Sequence, residues 1–360
     1  MLSGSQSGLE TEKLAIDHSL EEFLSNATQE LSAIDPYLQS ISTALREFLA
    51  GGKRLRPLFA VAGYIGAGGS LESDAITRVH RAVVSLELLQ ACALIHDDMM
   101  DGSDTRRGAP SMHRRFEREH RSRSGHGESA AFGNAAALLI GDLALVLSTQ
   151  ALNQSGICTE QAEQVNPIFD LMKVELMAGQ YLDMHAGSRA HVPVADALKI
   201  AIYKSGKYTI ERPLHFGGAL ALCAPEHREI YSEYGIPLGI AFQLRDDLLG
   251  VFGDSSVTGK PAGDDLLEGK RTALISYAIE HLAGAEVEEF IASFGNRSAT
   301  PNEISRMRAL IKNSGAVEFI EKIIEEKTTL ALEASKHPRI SVDGQELLAQ
   351  LAIAATRRSA

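Results

Sequence analysis

The sequence predicts an all-α fold in a single domain spanning residues 1–360. Three observations predict it. Apolar residues recur at helical spacing through most of the chain. No long run alternates apolar and polar residues as a half-buried strand would. No Pro- or Ser-rich linker divides the 360 residues. An apolar fraction of 44% supplies a sizeable core, and the absence of Trp suits one built on Leu, Ala and Ile.

Taken in order, residues 1–12 are polar and carry acidic charge early, and are expected to form a flexible N-terminal segment without the basic start and apolar run of a signal peptide. Leu9–Leu31 and Pro36–Leu49 read as two amphipathic helices. Pro57 can open a third, because its missing N–H costs nothing in a first turn. That puts Lys53, Arg54 and Arg56 at a helix N-terminus, where backbone amides and side-chain cations can face one anion. Ser73-Asp74 offers a cap for a central helix ending near Ser103, long for a globular protein and apolar on more than one face. Arg106 and Arg107 follow; adjacent on a helix, they would point about 100° apart and serve two different anions.

His113 to Gly127, dense in Arg, His, Ser and Gly, reads as a frayed helix end running into a flexible loop. Asn134–Gln150 reads as a buried helix; its apolar stretch Ala135–Leu147 is broken by Gly141-Asp142 and too short to span a bilayer. Ile168–Gly187 is amphipathic, Gly206 interrupts a helical pattern within Tyr203–Thr209, and Pro225–Phe252 forms a second long helix. The Gly-rich segment Thr258–Thr272 carries two lysines and suits a lid closing over phosphate. Further helices follow, punctuated by Pro301, Gly315 and Pro338.

Composition excludes several classes. With 47 acidic against 35 basic side chains and a net charge of -12, the chain lacks the basic excess of a nucleic-acid binder. Cys92, Cys158 and Cys223 are widely spaced and fit neither a disulfide framework nor a zinc knuckle. Free buried thiols point to a reducing compartment, so a cytoplasmic protein is expected, not an integral membrane one.

The chemistry concentrates where an apolar run ends in Asp97, Asp98 and Asp101. On a helix these three carboxylates share one narrow wedge of surface. Their mutual repulsion is relieved most cheaply by divalent cations between them. All-oxygen ligation by few protein groups suits Mg²⁺, which keeps several waters and takes phosphate oxygens as partners. Around this stretch stand Gly51-Gly52-Lys53-Arg54-Leu55-Arg56-Pro57, Asp104-Thr105-Arg106-Arg107-Gly108 and Gln243-Leu244-Arg245-Asp246-Asp247. Guanidinium forks for phosphate beside carboxylates for metal describe a site that holds cations and polyanions together.

This set, in this order, resembles the trans-isoprenyl diphosphate synthases from about Gly51 to Thr272. The resemblance implies the isoprenoid synthase fold, an antiparallel helical bundle around a central cavity, and usually a homodimer. It implies condensation of isopentenyl diphosphate with an allylic diphosphate (dimethylallyl, geranyl or farnesyl), assisted by three Mg²⁺ ions on Asp97, Asp98, Asp101, Asp246 and Asp247. Lys53, Arg56 and Arg107 match positions that grip isopentenyl diphosphate, while Arg106, Lys204, Gln243 and Lys260 match the allylic diphosphate side, with Lys270 a helper. Gln90 stands where many relatives have a diphosphate-binding His. Gln180 and Asp183 match positions beside the allylic substrate, and Asp265 a partner of metal-bound water. Where the family has a third acid in its second motif, this chain has Gly250, leaving Asp246 and Asp247 with Asp254 as a possible aid.

In such enzymes the growing tail runs along the first acid-bearing helix, one turn of which, about 5.4 Å, is comparable to one isoprene unit. The residues four and five before Asp97, Ala93 and Cys92, are small and leave a tunnel open, with Leu89 a candidate floor. Geranylgeranyl diphosphate is the expected product, farnesyl or longer chains the alternatives. A class I terpene cyclase would share the acid-rich helix end but has no use for Lys53, Arg56 and Arg107. A non-catalytic synthase subunit would lack a metal motif.

Overall fold

The computed structural model describes residues 5–253 and 263–356, and they are helical almost throughout. The helices are α1 (Ser5–Ile34), α2 (Gln39–Leu49), α3 (Leu55–Gly66), α4 (Ser73–Met100), α5 (Met112–Ser122), α6 (Ser129–Asn153), α7 (Thr159–Gly187), α8 (Val194–Ala201), a π-helical stretch Ile202–Glu211, α9 (Arg212–Leu220) and α10 (Glu226–Phe252). After them come α11 (Asp264–Glu268), α12 (Ala273–His281), α13 (Gly284–Ser293), α14 (Pro301–Asn313), α15 (Ala316–Ala334) and α16 (Val342–Thr356). Two two-residue strands, β1 (Thr105–Arg106) and β2 (Ala109–Pro110), pair antiparallel. The chain divides into two compact units, Met1–Val165 with Phe216–Cys223, and Asn166–His215 with Ala224–Ala360.

In the first unit α4 is the hub, packed by α1, α3, α5 and α6. Its Val84, Leu88, Ala91, Cys92 and Ile95 are buried with Ala137, Ile140 and Ala144 of α6. Each fully buried Leu or Ile of this kind contributes about 1.5–3 kcal/mol. Arg54, just before α3, has a left-handed backbone (φ 51), uncommon for a non-glycine residue and favoured where its side chain is fixed. Here it is: the buried guanidinium donates to Asp17 Oδ1, Glu87 Oε2 and the Leu49 carbonyl, each at 2.7 Å.

Several expectations shift. The N-terminal segment is helical from Ser5, and Glu12 ties it down through a 2.6 Å contact with His80 Nε2. Met1–Gly4 lie outside the described residues. The N-cap of α4 is Glu72, with Ser73 and Asp74 inside the first turn. His113–Ser122 is helix and not a frayed end, because Met112 and Phe116 bury their side chains and Glu117 pairs with Arg114 and Arg121 at helical spacing. The apolar helix around Gly141 runs unbroken for 25 residues, long and apolar enough to cross a membrane by length and composition. Gly141 lies beneath the His96 ring, where a Cβ would come within 2.1 Å of Nε2, so the glycine serves helix contact instead of interruption. Of the three cysteines, only Cys92 is buried; Cys158 is exposed.

In the second unit α10 is the hub, against the π-helical stretch, α15 and α16. Its core gathers Leu244, Leu248 and Val251 with Leu266, Leu274, Ile275, Phe290, Leu310 and Ile320. The break expected at Gly206 takes the form of the wider helix Ile202–Glu211. Gly206 and Gly239 meet backbone to backbone: a Cβ on Gly239 would lie 2.5 Å from Gly206 Cα. Gly239→Ala is therefore expected to cost about 1–3 kcal/mol through overpacking, read as a lower thermal unfolding temperature. Gly8→Ala, at an open helical site, is the control.

Candidate functional site

The first unit carries an acid set and an arginine set at the end of α4. Asp97 and Asp101 are half-buried, whereas Asp98 is completely buried. A buried carboxylate needs a cation, and Arg106 supplies it: Nε lies 2.8 Å from both Asp98 oxygens, and Nη2 is 3.6 Å from Asp97 Oδ2. Burial pulls the Arg106 pKa down, but bonding to Asp98 and the charges of Asp98, Asp97 and Asp101 outweigh it and leave it raised.

Arg106 and Arg107 do not lie on a helix. Arg106 ends β1, and Arg107 and Gly108 form the left-handed turn to β2, with φ of 52 and 76. The turn still separates them as expected. Arg107 stands over Gly52, where a Cβ would sit 3.4 Å from Arg107 Nη2 and 3.5 Å from Arg54 Nη1. Its pKa is lowered by burial; Glu87 opposes this, and the charges of Arg106, Arg54 and Arg56 add to it. Of the charges that act on Arg107, one carboxylate opposes three guanidinium groups, a balance suited to an anion. Lys53 is exposed and Arg56 half-buried on the same stretch.

On α4, half-buried Gln90, Ala93 and Asp97 follow one another at spacings of three and four, on one face. Leu89 is fully buried. Cys92 turns elsewhere: it lies in the core with α6, its Sγ 3.7 Å from His96 Nδ1, and burial followed by the charge of Asp142 raises its pKa to about 12. Cys92 and Ala93 thus do not face one common space.

The second unit carries its own acid set at the end of α10. Gln243 Nε2 donates to Asp247 Oδ1 at 2.7 Å, and Asp247 is buried. Burial raises the Asp247 pKa to about 8 despite that bond, with Asp265, Asp246 and Asp183 adding their negative charge. Lys204 Nζ is 2.5 Å from Asp183 Oδ2, and Lys207 pairs with Glu175 at 3.2 Å. Lys270 lies 2.7 Å from Glu268 Oε2 and 3.6 Å from Asp265 Oδ1. Asp254 and Lys260 lie outside the described residues.

Among the described residues no three Asp, Glu, His or Cys side chains close around a point as a complete metal cage. What the chain offers is partial: carboxylate oxygens in two sets, and a cradle at Gly250, where a Cβ would meet Asp265 Oδ2 at 1.9 Å. That donor chemistry fits a hard cation completed by water and phosphate. Sequence reasoning missed the role of Glu87, which holds Arg54 and faces Arg107, because its partner Arg54 is 33 positions away. It also missed the bidentate grip of Arg212 on Glu175, at 2.6 and 2.8 Å.

Residues 38–311 match the family model described as polyprenyl synthetase. A geranylfarnesyl diphosphate synthase from Aeropyrum pernix is 31% identical over 93% of this chain and 96% of its own length. A geranylgeranyl diphosphate synthase from Saccharolobus solfataricus is 29% identical over 79% and 80%. Among solved structures, geranylgeranyl pyrophosphate synthase from Corynebacterium glutamicum, in complex with isoprenyl diphosphate and magnesium, has 38% identity and a TM-score of 0.91, covering 97% of this chain and 98% of that one.

The raised pKa of Asp247 carries a sign. An acid whose folded pKa exceeds its ordinary 3.8 destabilises the fold increasingly as pH rises from there to about 8. In EDTA-treated protein, Asp247→Asn should raise the melting temperature more at pH 8 than at pH 5. An equal shift at both pH values would contradict the buried-acid account.

Proposed function

We infer the reaction from a settled premise: this chain belongs to the polyprenyl synthetase family, whose model spans residues 38–311. It is a trans-isoprenyl diphosphate synthase, a transferase of prenyl groups. The family match runs across both compact units, which supports taking residues 1–360 as one functional domain. The observation that carries the finer reading is the pairing, in one unit, of an acid set at Asp97, Asp98 and Asp101 with a guanidinium surplus around Arg107. Such a combination handles two kinds of anion, one through cations and one directly.

In this reading Lys53, Arg56, Gln90 and Arg107 hold the diphosphate of isopentenyl diphosphate. Gln243, Lys204, Lys260 and Lys270 serve the allylic diphosphate. Asp97, Asp98, Asp101, Asp246 and Asp247 carry three Mg²⁺ ions. When bound, Mg²⁺ supplies compensation of the negative charge that grows on the departing diphosphate. Arg106 keeps Asp98 ionised and fixed. The allylic C–O bond breaks with its electron pair leaving on the diphosphate, the double bond of isopentenyl diphosphate supplies the electrons of the new C–C bond, and a proton is lost to restore an alkene.

Geranylgeranyl diphosphate is the proposed product. Ala93, in line with Asp97 and Gln90, supports it, because its small side chain leaves room along the acid-bearing face; Leu89 stands one turn deeper and Cys92 contributes only packing with α6. We propose that the enzyme works in the cytoplasm as a homodimer. Exposed Leu138, Leu139 and Val146 on α6, with 49, 66 and 63% of their surface open, support a second copy as their cover.

Purified protein with isopentenyl diphosphate, each allylic primer and Mg²⁺ should yield geranylgeranyl diphosphate by chromatography. Ala93→Phe should shorten the chain, and an unchanged length distribution would remove Ala93 from the tunnel. Hydrocarbon release from farnesyl diphosphate alone would instead favour a cyclase. Leu139→Glu is expected to shift the protein toward monomer in light scattering, and an unchanged mass would exclude this face.

A further inference from the structure

Lys204 stands on the π-helical stretch Ile202–Glu211, and a set of side chains with no part in the reaction described above surrounds the C-terminal end of that stretch. Helices with i→i+5 bonds are rare and mostly one turn long, so ten residues of one are not explained by the backbone alone. Six side chains close a ring there. Glu175 of α7 accepts from Arg212 Nε at 2.6 Å, from Arg212 Nη2 at 2.8 Å and from Lys207 Nζ at 3.2 Å. Arg212 Nη1 donates to His215 Nδ1 at 3.1 Å, and His215 Nε2 lies 3.1 Å from Ser232 Oγ of α10. The Ser232 hydroxyl donates to Glu211 Oε1 at 2.6 Å, and Glu211 Oε2, 3.7 Å from Lys207 Nζ, completes the circuit.

The ring is balanced in charge. His215 Nδ1 accepts from a guanidinium, so its proton sits on Nε2, which donates to the Arg228 carbonyl at 2.9 Å. Burial pushes the His215 pKa down, with the charge of Glu211 opposing and that of Arg212 adding to the fall. A neutral imidazole leaves Glu175 and Glu211 matched by Lys207 and Arg212. Glu211 and His215 are buried and the other four half-buried, so removing one charge strands its partner away from water. Gly235 of α10 lets the chain in close, since a Cβ there would lie 2.8 Å from Glu211 Cα. Relaxation of the stretch to an α-helix would take one residue from each turn and rotate Lys204 about the axis relative to Glu211.

We propose that the ring of Glu175, Lys207, Glu211, Arg212, His215 and Ser232 sets the π-helical register and so places Lys204 for the allylic diphosphate, which makes Glu175 and Ser232 positioning residues. The inference rests on the role given to Lys204 above. Lys207, three residues on, is engaged by two carboxylates and belongs to the support.

The test uses the full chain with Mg²⁺, in steady-state kinetics with isopentenyl and geranyl diphosphates and in calorimetric titration with a thiolo analogue of geranyl diphosphate, whose C–S bond resists ionisation. Glu175→Gln keeps the shape of the double acceptor and removes its charge. Ser232→Ala cuts the ring on the opposite side and leaves all four charges in place, so it carries the test should Glu175→Gln fail to fold. The two changes are expected to raise KM for geranyl diphosphate and Kd for the analogue about tenfold and about fivefold, with KM for isopentenyl diphosphate within about twofold of wild type. In a Lys204→Ala background each should change the Kd by less than about twofold, because the residue through which they act is gone. Equal effects with and without Lys204, or a lower melting temperature with both KM values unchanged, overturn the proposal. Wild-type protein that neither binds the analogue nor forms a prenyl diphosphate would show the reaction itself misassigned; wild type that does both, with variants that leave geranyl diphosphate binding unchanged, would remove only the ring.

Discussion

Carboxylates gathered at the C-terminal ends of two long apolar helices are the constraint on which this structure turns. A helix C-terminus carries partial negative charge, so acids there are opposed both by the helix and by one another. Asp97 and Asp98 in the last turn of α4, and Asp246 and Asp247 near the end of α10, accept this double penalty. Side chains offset part of the cost: Arg106 neutralises Asp98, and beside the second set Lys204 pairs with Asp183 and Lys270 approaches Asp265. Asp247 is held by the neutral amide of Gln243, and burial together with the neighbouring carboxylates raises its pKa. The two sets are thus held differently, Asp98 of the first by an arginine and Asp247 of the second by an amide.

Such charge concentrations persist only on rigid supports. Each hub helix is fixed by apolar contact along its length and by places where no side chain intervenes: Gly141 under His96 for α4, Gly239 against Gly206 for α10. The π-helical stretch opposite Gly239 has a wider turn than an α-helix, and it carries Lys204 and Lys207. Their partners, Asp183 and Glu175, both lie on α7, two turns apart, so one helix receives both lysines. Close backbone contact with Gly239 of α10 and with Gly179 of α7, where a Cβ would come within 2.6 Å of Lys204 N, joins the ion pairs in defining where these cations stand.

Much of this was legible in the chain itself, and the failures have physical reasons. Helical periodicity located α4, α6 and α10 because each buries apolar residues on more than one side. It failed for α5, whose polar composition hides two buried anchors, Met112 and Phe116, among arginines. Spacing placed Asp97, Asp98 and Asp101 together, but treated them as equals; that Asp98 would be sealed off depends on Arg106 folding back from a turn whose only local sign is Arg107-Gly108. Cys92 and Ala93 look alike as small neighbours, and only the contact of α4 with α6 shows that one faces the core and the other the acid-bearing side. Arg54 stands in the same basic run as Lys53 and Arg56, yet serves structure, since nothing local announces Asp17 and Glu87.

The distinction between Arg54 and Arg107 shows how one arginine of a basic cluster is committed to the fold while another is set beside it. If every cation in Gly51–Arg56 faced solvent, phosphate would bind diffusely and weakly, with salt competing for it. Arg54 is instead consumed by two carboxylates and a carbonyl, and in return fixes the left-handed turn that delivers Gly52 beneath Arg107. Gly52, with φ of 92, holds a backbone conformation that a side chain would strain, and it lies within ordinary contact of the Arg107 guanidinium. Glu87 bonds Arg54 and acts by its charge on Arg107, so one buried acid fixes the structural cation and opposes the lowering of the other's pKa. Arg54 is thus committed to structure, and its three bonds fix the turn beside which Arg107 stands.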